Sequence, residues 1–310
     1  HIRQYRYRLR DDWRVAGLAR QVVRPFERHR RAEAAAACLR SRADLHRPDG
    51  TPDILQFIEH GTLNLVAQAE IVGHMTQTLS NAVLDNYHHL GDAASLTDGL
   101  PYNPNLAPYE IAKDGRSSGV KDDLWAFTSR NPSLDLRAAT TFAAASRALK
   151  GYNDDLAARA LQQSKKLLKE ATELLANKPE DTTVWARSAN VGTNLQLYIA
   201  TGEQQYSDKF QELLWPALDR SINFLLLTAL NAIPHMDASF KEKLRPYVVK
   251  YNDYIKELEK NNPYGVPVTL GNWAGSGAVV NFGTRVCFAN KYFPDVVDAS
   301  HSYKVTNYLF

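Results

Sequence analysis

The sequence predicts an all-α protein, on three observations. Long stretches repeat apolar residues at helical spacing, the junctions between them carry short breakers with a glycine or proline and an aromatic, and strand-like alternation is nearly absent. At 310 residues, 44% hydrophobic and 23% charged, the chain has the composition of a globular protein with one sizeable core. No stretch approaches roughly 18 uninterrupted apolar residues. Ile222–Leu230 is broken by Asn223 and Thr228, so no membrane-spanning helix and no membrane partner are expected.

Residues 1–47 stand apart. Thirteen arginines, from Arg3 to Arg47, face Asp11, Asp12, Glu27, Glu33 and Asp44, a net charge of +8. The remaining chain carries 24 basic and 29 acidic residues, a net of −5, so the formal +3 of the whole belongs to the first segment. No lysine precedes Lys113. The segment reads as a solvated helical hairpin, as a basic arm for nucleic acid, or as sequence from a shifted reading frame. Nucleic acid is not expected as a partner of the rest.

Helical order begins at Pro52-Asp53. Ile54, Leu55, Ile58, Leu63, Leu65, Val66 and Ala69 form one face. Residues 134–149 form a second helix crowded with Ala138, Ala139, Ala143, Ala144 and Ala145, which implies close approach of neighbouring helices. Residues 153–176 form a third, capped by Asn153-Asp154-Asp155. Its buried stripe is Leu156, Ala160, Leu161, Leu167, Leu168, Leu174 and Leu175. Further helices are predicted at about 182–199, 205–228, 240–258, 274–291 and 301–310. The junctions Lys150–Asp154, Thr201–Tyr206 and Lys291–Asp295 each supply an aromatic to plug the turn. Gly151 and Gly202 suit the left-handed position that ends a helix. Such short connections stack consecutive helices as antiparallel pairs. Pro267–Leu270 is the one strand-like run.

Two stretches break this rhythm, residues 86–133 and 261–277. A loop as long as the first, rich in Tyr87, Tyr102, Asn103, Tyr109, Trp125 and Phe127, is too aromatic for disorder and is expected to carry function. His88 and His89 would hydrogen-bond substrate, or pair with Asp92 around a metal. Adjacent histidines rarely chelate one ion, which weakens the metal reading. Asp122-Asp123 would be a solvated turn or cap, since adjacent side chains diverge. Trp125 and Arg130 would line a cleft or pin the loop. Cys38 and Cys287 show no metal spacing and would be two buried thiols or one bridge. Nucleophile-elbow, phosphate-loop and dinucleotide glycine patterns do not occur, which disfavours serine hydrolysis, phosphoryl transfer and hydride transfer.

Asn262-Pro263-Tyr264-Gly265-Val266-Pro267 followed by Gly271-Asn272-Trp273-Ala274-Gly275-Ser276-Gly277 resembles the NPYGVP and G-x-W-x-G-x-G stretch of glycoside hydrolase family 9, the cellulase-type endoglucanases. Thr51–Gln68, Thr140–Ala148 and Ser302–Leu309 are similar to helices of the same family, so the likeness runs over residues 48–310. It implies an (α/α)6 barrel, incomplete at both ends, that cleaves β-1,4-linked glucan with inversion. Inversion needs two carboxyl groups about 6.5–9.5 Å apart, an acid and a base. In the family the base lies in a D-A-G-D type motif before the helix that matches residues 52–68, and the acid follows the last matching helix. Neither motif occurs in this chain, so the catalytic Asp and Glu are expected outside it and the chain alone is expected to be inactive.

The residues the resemblance and the loop chemistry nominate for substrate are Trp273, Asn272, Tyr264, His88, Trp125 and Arg130. The face of an indole matches the C–H face of a pyranose, although Trp273 would equally plug a barrel end. The expected partner is a β-glucan polysaccharide or oligosaccharide, met by a secreted or periplasmic monomer. No cofactor is expected. The resemblance permits a structural calcium, though no acidic loop has EF-hand spacing. Two other classes stay open: a carbohydrate-binding toroid without catalysis, and a helical-repeat scaffold for proteins.

Overall fold

The computed structural model describes residues 50–77, 79–80, 87–89, 98–123, 125–127, 129–179, 182–267 and 275–309, with backbone alone at 79–80, 87–89 and 125–127. The expectations for residues 1–47 and Cys38 lie outside these. The chain divides into two compact units, one ending at Tyr206 and one running Ser207–Phe310.

In the first unit α1 (Asp53–Ile71) leads into a three-stranded antiparallel sheet, and three helices follow: α2 (Pro132–Leu149), α3 (Asp154–Asn177) and α4 (Val184–Thr201). The helix starts follow from local chemistry. Asn131 accepts from the N–H groups of Ser133 and Leu134, Asn153 from Leu156 and Thr183 from Ala186. Each satisfies donors that a helix start leaves open. Gly151 and Gly202 take φ of 80° and 73°, as a left-handed helix end requires.

Helix α2 is buried on two sides, which explains its alanines. Ala139, Phe142, Ala145 and Leu149 pack with α1 and α3, while Leu136 and Ala143 join Leu168, Ala171, Ala186 and Leu197 from α3 and α4. Small residues let the backbones approach closely enough for side chains to bond across. Ser164 Oγ donates to the Ala139 carbonyl at 2.7 Å, and Thr193 Oγ1 donates to the Leu136 carbonyl at 2.9 Å. Two stripe residues do not go inside. Leu63 and Leu174 are exposed, because each stripe as read from sequence was wider than the arc its helix buries.

The short sheet differs from the nearly strand-free reading of the sequence. β1 (Leu79–Ser80) and β2 (Tyr87–His89) flank β3 (Trp125–Phe127) in the order β1-β3-β2. Strands of two or three residues are too short to show alternation. They are a local clasp at the two ends of the long loop, and the all-α class stands.

The second unit holds the remainder of α5 (Gln204–Ala232), a 3-10 turn at Ile233–His235, α6 (Ala238–Asn261), α7 (Gly275–Tyr292) and α8 (Ser300–Leu309). Pro216 removes one helical donor from α5, and the axis breaks at Ser221, with φ −151° and ψ 57°. Just past the break Arg285 of α7 donates to the Asn223 carbonyl at 3.1 Å and to Tyr251 Oη at 3.0 Å. Trp215 of α5 meets Phe240 and Tyr247 of α6 at ring separations of 5.2 and 6.0 Å. Gly283 of α7 lies where an added Cβ would fall 2.7 Å from Val305 Cγ1, so α7 and α8 close on a glycine.

By length and composition alone Gln204–His235 is long and apolar enough to cross a membrane, a property that core helices share. Two sequence expectations are corrected here. Of the junction aromatics, Phe293 is fully buried and Tyr206 packs on the first unit's core, but Tyr152 is 37% exposed and donates its hydroxyl to Glu59 at 3.0 Å. Cys287 is an exposed free thiol that donates to Ser302 Oγ at 3.2 Å.

Candidate functional site

Two places bring the nominated residues into view, one in each unit. In the second unit α6 ends at Asn261 and the chain turns sharply through Asn262–Pro267. Asn262 shapes this turn from inside: its Oδ1 accepts the Tyr264 N–H at 2.8 Å and its Nδ2 donates to the Val266 carbonyl at 2.5 Å. Its own carbonyl accepts the Gly265 N–H at 2.9 Å. Gly265 takes φ of 64°, and an added Cβ would stand 3.3 Å from Lys304 Cδ and 3.4 Å from Glu259 Cγ. Glycine is needed there both for the left-handed backbone and for the close approach.

Charge and ring contacts hold the turn on α6 and α8. Glu259 Oε1 accepts from Lys304 and lies 2.7 Å from Nδ1 of the buried His301. Burial works against the Glu259 charge, but Lys304 and His301 together outweigh it and hold the carboxyl below its ordinary range. Val266 is fully buried. Tyr264 is exposed and meets Tyr308 edge to face at 5.3 Å. Asn272 and Trp273 follow this turn and lie outside the described residues.

In the first unit, residues 98–123 form a tightly bonded loop. Asp122 Oδ2 accepts the Asp98 N–H at 2.9 Å and Asp123 Oδ2 accepts the Tyr102 N–H at 2.6 Å, so the two ends are tied. The Asn103 N–H donates to the Ser118 carbonyl at 2.7 Å and the Ser118 N–H to the Pro101 carbonyl at 3.0 Å. Asp123 is therefore buried rather than solvated, a correction with a clear cause: the loop needs an internal acceptor. Burial and the neighbouring charges of Asp98 and Asp123 raise the Asp122 carboxyl above its ordinary range.

Beyond the loop, β3 places Trp125 opposite His89 and Ser80, and Ala126 opposite His88, so the backbone at His88 and at Trp125 meets in one ladder. Arg130 then braces the start of α2. Its Nε donates to Asp135 Oδ2 at 2.8 Å and its Nη2 to Glu170 Oε2 at 2.7 Å. Burial lowers the hold of this guanidinium on its proton, but the two carboxylates more than restore it. Asp135 is fully buried, and its second oxygen accepts the Met75 N–H at 2.8 Å. Asp135, Glu170, Glu259, His301 and Lys304 were not singled out from sequence. Only the nearness of their partners in space, at separations of 5 to 60 positions, reveals them.

Hydrolysis of a glycosidic bond asks for a carboxyl acid and a carboxylate base. The two buried carboxylates among the described residues, Asp123 and Asp135, hold backbone N–H groups, and Asp135 also holds Arg130. Among the described residues no group of three or more His, Cys, Asp or Glu is placed to hold a metal. The Asp98, Asp122 and Asp123 carboxylates accept from the loop's own N–H and hydroxyl groups, and Asp122 Oδ1 is buried with no hydrogen-bond partner.

No protein-family model and no curated protein matches the chain. Solved structures that share its fold include the following two. The chain matches "Bacteroides ovatus GH9" with a TM-score of 0.57 at 16% identity, over 94% of this chain and 53% of that one. It matches a metagenome-derived glycoside hydrolase family 9 endoglucanase with a TM-score of 0.57 at 16% identity, over 94% of this chain and 51% of the other. The chain thus spans about half the length of the structures it resembles, and its fold is that of the helical toroid in these family 9 proteins.

Proposed function

We propose that this chain is part of a family 9 glycoside hydrolase that acts on β-1,4-linked glucan by inversion. The observation that carries the reading is the agreement of two signals. The Asn262–Gly277 block resembles that family in sequence, and the fold of the chain resembles family 9 structures. In this reading residues 48–310 belong to one catalytic domain. The catalytic Asp and Glu reside in the part of the fold that this chain does not span. The chain supplies groups for the substrate: Trp273 and Tyr264 as ring surfaces, Asn272 and His88 as hydrogen-bonding groups, and Trp125 as a further ring, while Arg130 keeps the long loop in place. The protein is a monomer, secreted or periplasmic, and uses no cofactor. Which β-1,4-linked glucan it meets is set by these groups.

A reading without catalysis has one observation in its favour, the structural engagement of Asp123 and Asp135. The test uses the whole chain. Cellohexaose is titrated into it by calorimetry, and reducing-end release is assayed on barley β-glucan and carboxymethylcellulose. The expected result is saturable binding with no release. Absence of binding to any β-1,4-glucan would sink the proposal, and release of reducing ends by this chain would overturn the placement of acid and base outside it.

A further inference from the structure

We propose that Tyr109 is a stacking platform for one pyranose ring of the glucan, presented by the loop of residues 98–123; the inference rests on the β-glucan reading above. Tyr109 is the non-glycine residue with positive φ among the described residues, at 68°, and its side chain is 83% exposed. A left-handed backbone at a bulky residue costs about 1–3 kcal/mol. An exposed ring regains none of that through packing. Glycine removes the cost, and the same loop places Gly99 and Gly115 at its other left-handed positions, with φ of 76° and 68°. A tyrosine at such a position, facing solvent, is unexplained by folding and points to what the ring meets outside the protein.

The surrounding loop fixes that backbone from both sides. The Ala107 carbonyl accepts the Glu110 N–H at 3.0 Å, and Glu110 Oε2 accepts the Ala107 N–H at 2.9 Å, so residues 107–110 close on themselves around Tyr109. The Glu110 carbonyl accepts the Gly119 N–H at 2.8 Å, which ties this turn to the far side of the loop. The approach there is close enough that a Cβ on Gly119 would lie 1.8 Å from the Ala107 carbonyl oxygen. The turn cannot relax without breaking these bonds, so the ring stands on a fixed backbone with only two side-chain torsions to order on binding.

The chemistry of the patch selects a neutral, amphipathic ligand. Ile111, two residues on, is also exposed. Within residues 107–116, the stretch nearest the ring, Glu110, Lys113, Asp114 and Arg116 cancel in sign, so that stretch favours neither an anion nor a cation. A sugar ring presents a C–H face to an aromatic and hydroxyls to polar surroundings.

The test compares the whole chain with Y109G and Y109F by cellohexaose calorimetry and thermal unfolding. Y109G is expected to raise Tm, since strain is relieved, and to weaken cellohexaose binding about fivefold, the scale of one aromatic contact. Y109F is expected to bind as the parent does. Unchanged affinity in Y109G, with the parent binding, would overturn this inference and leave the β-glucan reading intact. A fall in Tm for Y109G would overturn it too, because the ring would then be packing on the protein. A parent chain that binds no cellohexaose would sink the broader reading first and this one with it.

Discussion

Asp135 uses both oxygens of a fully buried carboxylate, one on the Met75 N–H and one on Arg130 Nε. Removing the carboxylate leaves a buried N–H and a guanidinium edge without their acceptor, the costly way to break a buried pair. Glu170 holds the other edge of the same guanidinium but is partly exposed, so solvent replaces much of what it offers. D135A should therefore lower unfolding stability by about 3–5 kcal/mol. E170A should cost about 1 kcal/mol or less. Urea denaturation with an unchanged m-value reads the difference, and equal costs would show that burial of Asp135 does not set its weight.

The turn between α6 and α8 depends on charge in a way that pH exposes. Glu259 has a folded pKa below its ordinary value, so it binds its proton less readily folded than unfolded. The stability it contributes is complete above the unfolded glutamate value of about 4.3 and is lost as pH falls through the lower folded value. E259Q should thus be less stable than the parent at pH 7, by about 0.5–1 kcal/mol after solvent screening, with the gap narrowing as pH falls through the folded value. A gap that stays constant as the pH is lowered would assign the effect to packing against Gly265 instead. Elements of this kind differ in how far sequence discloses them. The predicted helices agree with those observed to within about four residues, because caps such as Asn153 and stops such as Gly202 act on their own neighbours. The three short strands and the Glu259–His301–Lys304 contact depend on residues far apart in the chain, and no local period marks them. Of the nominated site, the turn at Tyr264 was legible because its Asn, Pro and Gly are turn chemistry. Arg130 was legible as a loop residue, but its two carboxylate partners were not.

Across the whole molecule, charge and ligand chemistry separate. Residues 1–47 carry a net of +8 and the rest a net of −5, whereas the proposed ligand has no charge. Binding to a polyanion weakens steeply with salt because counterions are released, but stacking and hydrogen bonding to a neutral glucan involve no such release. The cellohexaose Kd of the whole chain should therefore be the same at 50 and 500 mM NaCl, values chosen to span roughly a threefold change in screening length. A chain starting at residue 48 should keep that Kd, yet pass through a cation exchanger at pH 7 that retains the whole chain, since removing thirteen arginines reverses its net sign. The two readouts are independent. A Kd that rises with salt, or one lost with residues 1–47, would move glucan recognition to the arginine-rich segment and away from the aromatic surfaces at Tyr264 and Tyr109.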